Sequence, residues 1–202
     1  MSVRGMITDE RRDLIATLRT LSDEEWEAPS LCGGWRVRDV AAHLCSDAVS
    51  PWTFGNVLVR QRFSFDGLND ALVEQKRAWP VERVLELLES TVGRGVLSAT
   101  IPGVILADSV VHHQDILRPL GRTRTVPADR LLFTLSHPDP FARPWRIIEG
   151  LRFVATDVPW SRGTGPEIRG PGEALALAMV GRPVVLGELE GDGVDRLRDR
   201  LS

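Results

Sequence analysis

Residues 107–116, Ala107-Asp108-Ser109-Val110-Val111-His112-His113-Gln114-Asp115-Ile116, are the stretch on which the reading of this chain turns. They read as part of a helix from about Val104 to Leu117, set off by Pro102-Gly103 before it and by Pro119 and Gly121 after it. At ~100° per residue, Asp108, His112 and Asp115 fall within about 60° of one another. Val104, Ile105, Val111 and Ile116 share that side. A carboxylate and an imidazole one turn apart in an apolar stripe cost several kcal/mol unless something compensates them. Mutual pairing or a bound metal ion compensates them most cheaply, and the function depends on which of these applies.

On the N-terminal side of this stretch the chain continues in helical periods. A first helix runs from about Ile7 to Leu21, with Leu14, Ile15, Leu18 and Leu21 on one face. Ser22-Asp23-Glu24-Glu25 has the pattern of a capping box, and Pro29 ends the short turn it starts. Cys32-Gly33-Gly34-Trp35 is a tight connection. A second helix begins near Val37, with Val37, Ala41, Leu44 and Ala48 as its apolar arc, and Pro51 stops or kinks it. Helical periods return over about Leu68–Trp79, and again after Pro80, where Val84, Leu85, Leu88 and Val92 repeat. Shorter pieces follow at Asp129–Leu135 and Pro144–Ile148. Four long amphipathic helices joined by modest loops predict a mainly α fold, an up-and-down four-helix bundle over residues 1–149.

The texture changes from about Gly150. Leu151–Thr156 alternates as a strand would, Ser161–Gly172 is rich in glycine and proline, Glu173–Val180 reads as a short helix and Pro183–Leu189 as another strand. Residues 150–202 thus predict a small α+β C-terminal domain, too small to be stable unless it packs on the bundle.

The bulk composition narrows the function. The chain is 43% hydrophobic, enough for a core, and its net charge of −3 comes with cations scattered along the chain, so it lacks the basic patch of a nucleic-acid binder. No apolar run reaches the ~18–20 residues of a membrane span. Asp9, Glu10, Arg11, Arg12 and Asp13 interrupt the N-terminus before any apolar core, unlike a signal peptide. Two cysteines do not make a disulfide framework, and a reducing cytoplasm is the expected setting.

Asp108 and His112 are close enough to share one ion, since side chains four apart on a helix are neighbours. Zinc and similar metals take a neutral imidazole and a carboxylate oxygen at ~2.0–2.2 Å. A buried Asp–His hydrogen bond fits the same spacing, so both readings stay open. His113 points some 100° away and reads as surface or packing. Asp115 fits an acceptor that orients His112, and equally a solvated charge near the helix end. A third metal ligand has to come from His43 or His137. His137 sits in the turn-rich Ser136-His137-Pro138-Asp139-Pro140. His43 sits on a flank of its helix with Arg36, Asp39 and Asp47, which reads as a solvent face or as the lining of a cleft. Cys32, just before a helix start, is either a nucleophile or a small buried thiol. Ser109 and Ser136 lack a nucleophile elbow, and Gly163, Gly165, Gly170 and Gly172 are not framed as a dinucleotide fingerprint.

Leu31-Cys32-Gly33-Gly34-Trp35-Arg36-Val37-Arg38-Asp39-Val40-Ala41-Ala42-His43-Leu44 resembles the first signature of the mycothiol-dependent maleylpyruvate isomerase family, within the broader DinB-like group of helical bundles. Residues 107–121 are similar to its second signature. The tail Gly163–Pro171 followed by Gly181-Arg182 also resembles family members. The resemblance implies a divalent metal, usually zinc, held by His43, Asp108 and His112, in a family whose acid can be glutamate. It further implies a low-molecular-weight thiol cofactor, mycothiol, whose thiolate the metal stabilises. Arg182 matches, by position, an arginine that assists substrate chemistry. The resulting expectation is a cytoplasmic isomerase or thiol S-transferase acting on a small electrophile, as a monomer or homodimer without nucleic-acid or membrane partners. A non-catalytic metal- or small-molecule-binding stress protein and a metal-dependent hydrolase are the alternatives.

Overall fold

The computed structural model describes residues 1–202, which form two compact units, Met1–Arg124 and Thr125–Ser202. The first unit is all helical. It contains α1 (Val3–Leu18), α2 (Asp23–Glu27), α3 (Val37–Leu44), α4 (Pro51–Arg60), α5 (Phe65–Glu74), α6 (Val81–Ser90), α7 (Val96–Thr100) and α8 (Pro102–Leu117). The capping box that opens α2 is present, with the Ser22 side chain on the Glu25 N–H and the Glu25 side chain on the Ser22 N–H. Pro51 does not end the second helix but opens the next. Its missing N–H costs nothing at the first turn of α4.

Four helices make the bundle. α1 packs on α8 and α6, and α3 packs on the same two, so the order around the bundle is α1, α6, α3, α8. Leu14, Ile15 and Leu18 of α1 meet Val37, Val40, Ala41 and Leu44 of α3, Val84 and Leu88 of α6, and Ile116 of α8 in one buried cluster. Burial of these side chains at roughly 1.5–3 kcal/mol each holds the unit together. α4 and α5 form a side hairpin with its own small cluster of Val57, Leu68 and Leu72, and α5 leans on α3.

A buried ion pair fastens one end. Arg11 of α1 lies 2.7 Å from Asp47, and both side chains are nearly inaccessible. Arg11 also donates to the Thr91 carbonyl at 2.8 Å, while Asp47 Oδ1 accepts from the Leu97 and Ser98 N–H groups that open α7. A Cβ at Gly95, whose φ is +132°, would stand 2.1 Å from the Asp47 carboxylate. Only glycine lets the carboxylate reach the helix start.

The second unit begins earlier than the change of sequence texture at 149/150. α9 (Ala128–Ser136) and α10 (Trp145–Ile148), expected with the bundle, belong to it. α9 packs on α11 (Gly172–Met179), with Leu131 and Leu135 against Gly172 and the Val126 N–H donating to Glu173 at 2.7 Å. β1 (Arg152–Ala155) is central in a three-stranded sheet, antiparallel to β2 (Ser161–Gly163) and parallel to β3 (Glu167–Gly170). Phe153 faces Ile168 in register, and both are fully buried. The strand predicted at Pro183–Leu189 is instead a 3-10 helix over Pro183–Glu188, because Pro183 supplies its first turn. The outer edge of β3 is met by a bridge from Glu190 to Arg169 and by the Gly193 N–H, which donates to the Glu167 carbonyl at 2.8 Å. α12 (Val194–Leu201) closes the chain. No helix is long and apolar enough to cross a membrane.

Candidate metal centre

α8 supplies two of the three groups that converge. His112 Nε2 lies 3.2 Å from Asp108 Oδ1, one turn away on the same face. His43, in the last turn of α3, brings its Nε2 to 3.4 Å from the same oxygen. The two imidazoles stand nearly at right angles, with centroids 4.9 Å apart. One nitrogen of each ring and one carboxylate oxygen lie within 4.8 Å of one another. Bundle packing produces the convergence, because α3 and α8 are direct neighbours. The flank of α3 that carries His43 is no solvent face: apart from Arg38, every residue of that helix is buried.

The loop before α3 builds the wall. The Cys32 carbonyl accepts from the Trp35 N–H at 3.0 Å, and Gly34 takes φ +79° inside that turn. The Trp35 ring comes within 5.3 Å of the His43 ring, and its indole N–H donates to Asp70 Oδ1 of α5 at 3.1 Å. The Leu31 N–H donates to the Asp115 carbonyl at 3.1 Å, which ties the loop to α8.

Behind His112 lies Asp115. Its carboxylate is fully buried and accepts from His112 Nδ1 at 2.9 Å, so it is not a solvated charge at the helix end. This contact fixes the ring and aims Nε2 at Asp108 and His43. Cys32 also belongs to this group, a placement its position in the sequence did not reveal. Its thiol donates to Asp115 Oδ2 at 3.2 Å, and Sγ lies 3.5 Å from His112 Nδ1. His113 turns away, as packing. It is buried between Glu10, 3.1 Å from Nδ1, and Thr17, 3.0 Å from Nε2. His137 is exposed in the second unit, stacked on Phe133 at the end of α9. Arg182 is also in the second unit, where its guanidinium donates to the Val180 carbonyl at 3.1 Å.

The electrostatics follow from this crowding. Burial works to raise the Asp108 carboxyl, but the charges and hydrogen bonds of His112 and His43 outweigh it and hold the group well below the usual carboxylate range. Burial works to lower His112, but the Asp108 charge, with hydrogen bonds to Asp108, Asp115 and Cys32, pushes it well above the ordinary histidine value. A positive charge is therefore favoured at this point of the fold, and a proton on His112 supplies it when nothing else does.

The donor set suits a divalent cation in place of that proton. Two imidazole nitrogens and a carboxylate oxygen are the mixed set taken by zinc-like ions in catalytic sites, with a further position left open. The donors lie 3.2 and 3.4 Å apart, close to the ~3.3 Å edge of a tetrahedron with ~2.0 Å bonds. Asp108, one methylene shorter than a glutamate, touches both rings. His43 is less well supported, since its Nδ1 is buried without a partner.

Residues 7–54 match the family model described as the mycothiol maleylpyruvate isomerase N-terminal domain. This segment includes the Cys32–Trp35 turn and His43. No curated protein matches the chain by sequence. Among solved structures, the chain is similar to a histidine-to-alanine mutant of the mycothiol-dependent maleylpyruvate isomerase, with a TM-score of 0.62 and 13% identity over 94% of this chain and 91% of that one. It is similar also to a second structure of the mycothiol-dependent maleylpyruvate isomerase, with a TM-score of 0.52 and 16% identity over the same shares. At those identities the solved structures show a shared fold, and the sequence likeness to the mycothiol maleylpyruvate isomerase N-terminal domain is confined to residues 7–54.

Proposed function

We propose that this protein is a metal-dependent enzyme that activates a low-molecular-weight thiol of the mycothiol type, for transfer to or isomerisation of a small electrophile. The observation that carries the reading is the convergence of His43, Asp108 and His112 on one point with only part of their surface open. A zinc-like ion held there stabilises a thiolate at neutral pH. Asp108 supplies the negative charge of the site, and its two ring contacts keep both histidines facing it. Asp115 holds the His112 ring by Nδ1 and leaves Nε2 for the cation. Trp35 closes the side next to His43 and limits water there. Arg182 is assigned as the clamp for a carboxylate on the substrate or the thiol, which a guanidinium binds through two parallel hydrogen bonds. The protein works in the cytoplasm, where such thiols are kept reduced.

The shared fold and the match of residues 7–54 to a mycothiol maleylpyruvate isomerase domain model favour a thiol over water as nucleophile, because the similar solved structures are of a mycothiol-dependent enzyme. The test has two stages. Elemental mass spectrometry of protein purified without a histidine tag should find about one bound metal per chain, lost in His112→Ala. The loaded protein should then form conjugates or isomers from small electrophiles only when the thiol is added, and chelation should stop it. Turnover without thiol would make the protein a hydrolase. A protein that takes up no metal even after zinc is added would be a binding protein, with Asp108 and His112 a structural pair.

A further inference from the structure

His112 has a second set of donors on the far side of its ring. Cys32 Sγ, His112 Nδ1 and Asp115 Oδ2 lie 3.5, 3.2 and 2.9 Å from one another in pairs, Sγ to Nδ1, Sγ to Oδ2 and Nδ1 to Oδ2. Three ligand atoms of sulfur, nitrogen and oxygen so close together match the edges, ~3.3–3.8 Å, of a tetrahedron with zinc-like bond lengths after only a small expansion. The backbone that carries them is already fixed. The Cys32 N–H donates to Ser30 Oγ at 3.1 Å, and the Leu31 N–H to the Asp115 carbonyl. Cys32 is half-buried, which gives a cation a way in, whereas Asp115 is fully buried.

We propose that Cys32, His112 and Asp115 form a second cation site, for a thiophilic divalent ion such as cadmium or surplus zinc, and that it opposes the site at His43 and Asp108. In the metal-free protein two protons leave when it fills, one from the thiol and one from Nδ1, and both go to solvent. In the zinc-loaded protein Nε2 takes up one proton as zinc departs, so the net release is one. The thiolate and the Asp115 carboxylate then balance the ion's charge. A neutral imidazole offers one lone pair. A ring bound through Nδ1 carries its hydrogen on Nε2, points it at Asp108 and cannot ligate at the first site. Filling the second site therefore empties the first. The donor set stands on its own distances, while its inhibitory role rests on the function proposed above.

Cadmium added to the zinc-loaded protein tests this, with the thiolate-to-cadmium charge-transfer absorption and the zinc released to a chromophoric chelator read together. Expected is a band that saturates with stoichiometric zinc release, disappears in both Cys32→Ser and Cys32→Ala, and persists in His43→Ala. The other thiol does not confuse the signal, because Cys45 is inaccessible and burial pushes it up to about 12. A band that survives both Cys32 variants, one that vanishes with His43→Ala, or zinc release without a band overturns the proposal. Should the protein bind no zinc at the first site, the band in the metal-free protein still decides whether the second exists.

Discussion

His112 and His113 are chain neighbours, each with a carboxylate about 3 Å from Nδ1, yet they do different work. His113 faces α1. Glu10 takes one nitrogen and the Thr17 hydroxyl the other, and the ring is fully buried. Nothing is left over for a ligand. His112 faces α3. Asp115 holds one nitrogen, and the other meets a second carboxylate and a second imidazole in a half-buried place. A histidine–carboxylate pair is thus no sign of a metal. What separates the two is the nitrogen that remains and the number of donors it meets.

The strongest way to break this comparison is to exchange the fates of the two rings. His112→Ala should abolish stoichiometric metal binding and leave the far-ultraviolet circular dichroism unchanged, while His113→Ala should keep the metal. Metal loss from both variants would mean that His113 also supports the site. Next in size is Glu10, fully buried against His113 and against Arg124, 2.6 Å away. Glu10→Ala should cost about 3–5 kcal/mol in denaturant unfolding, because it leaves a buried partner without its charge. A loss of metal affinity larger than the loss of stability would erase the distinction between the two faces. A smaller effect is expected from Asp115→Asn, which should weaken metal binding by roughly 10–100-fold through the orientation of His112, as read by competition with a chelator.

The comparison also has a pH signature. With its proton already held tightly, His112 must give that proton up to a metal, so apparent affinity should rise about tenfold per pH unit below the raised value of the group. For the metal-free chain the two partners define a window. Asp108, lowered in the fold, stabilises it above the ordinary carboxylate value and less as pH falls through its lowered one. His112, raised in the fold, stabilises it below the ordinary histidine value and less as pH climbs through its raised one. Their joint contribution should therefore be full between about pH 4 and 6.5, and a His112→Ala stability profile should lose that plateau. The pair Glu10–His113 should not reproduce it, since burial lowers His113.

Much of this was legible in the chain itself. Ionisable residues inside the apolar stripe of residues 104–117 pointed to α8 as a candidate site helix, and the resemblance of residues 31–44 to a family signature pointed to His43, which the fold brings beside Asp108 and His112. Helical period alone did not single out His43, because α3 is buried on almost every side and its polar flank faces protein rather than water. Cys32 joins the site through a contact 83 residues along the chain, to Asp115, and no local pattern announces it. In the second unit, Val184, Val185 and Leu186 have the composition of a strand, yet Pro183 starts a 3-10 turn there. α9 has an amphipathic period that is silent about which core it covers, and it went with α11 rather than with the bundle.

The buried pair of Arg11 and Asp47 adds a consequence in time. α7 is five residues long, too short to hold itself together in water. Its first amides nonetheless end on a carboxylate that cannot move without exposing a guanidinium from α1. The amide hydrogens of Leu97 and Ser98 are therefore expected to exchange with solvent only as slowly as the bundle itself opens. The helix that leads into the site would then share the lifetime of the core, and a cation could come and go many times before that end of the molecule unfastens once.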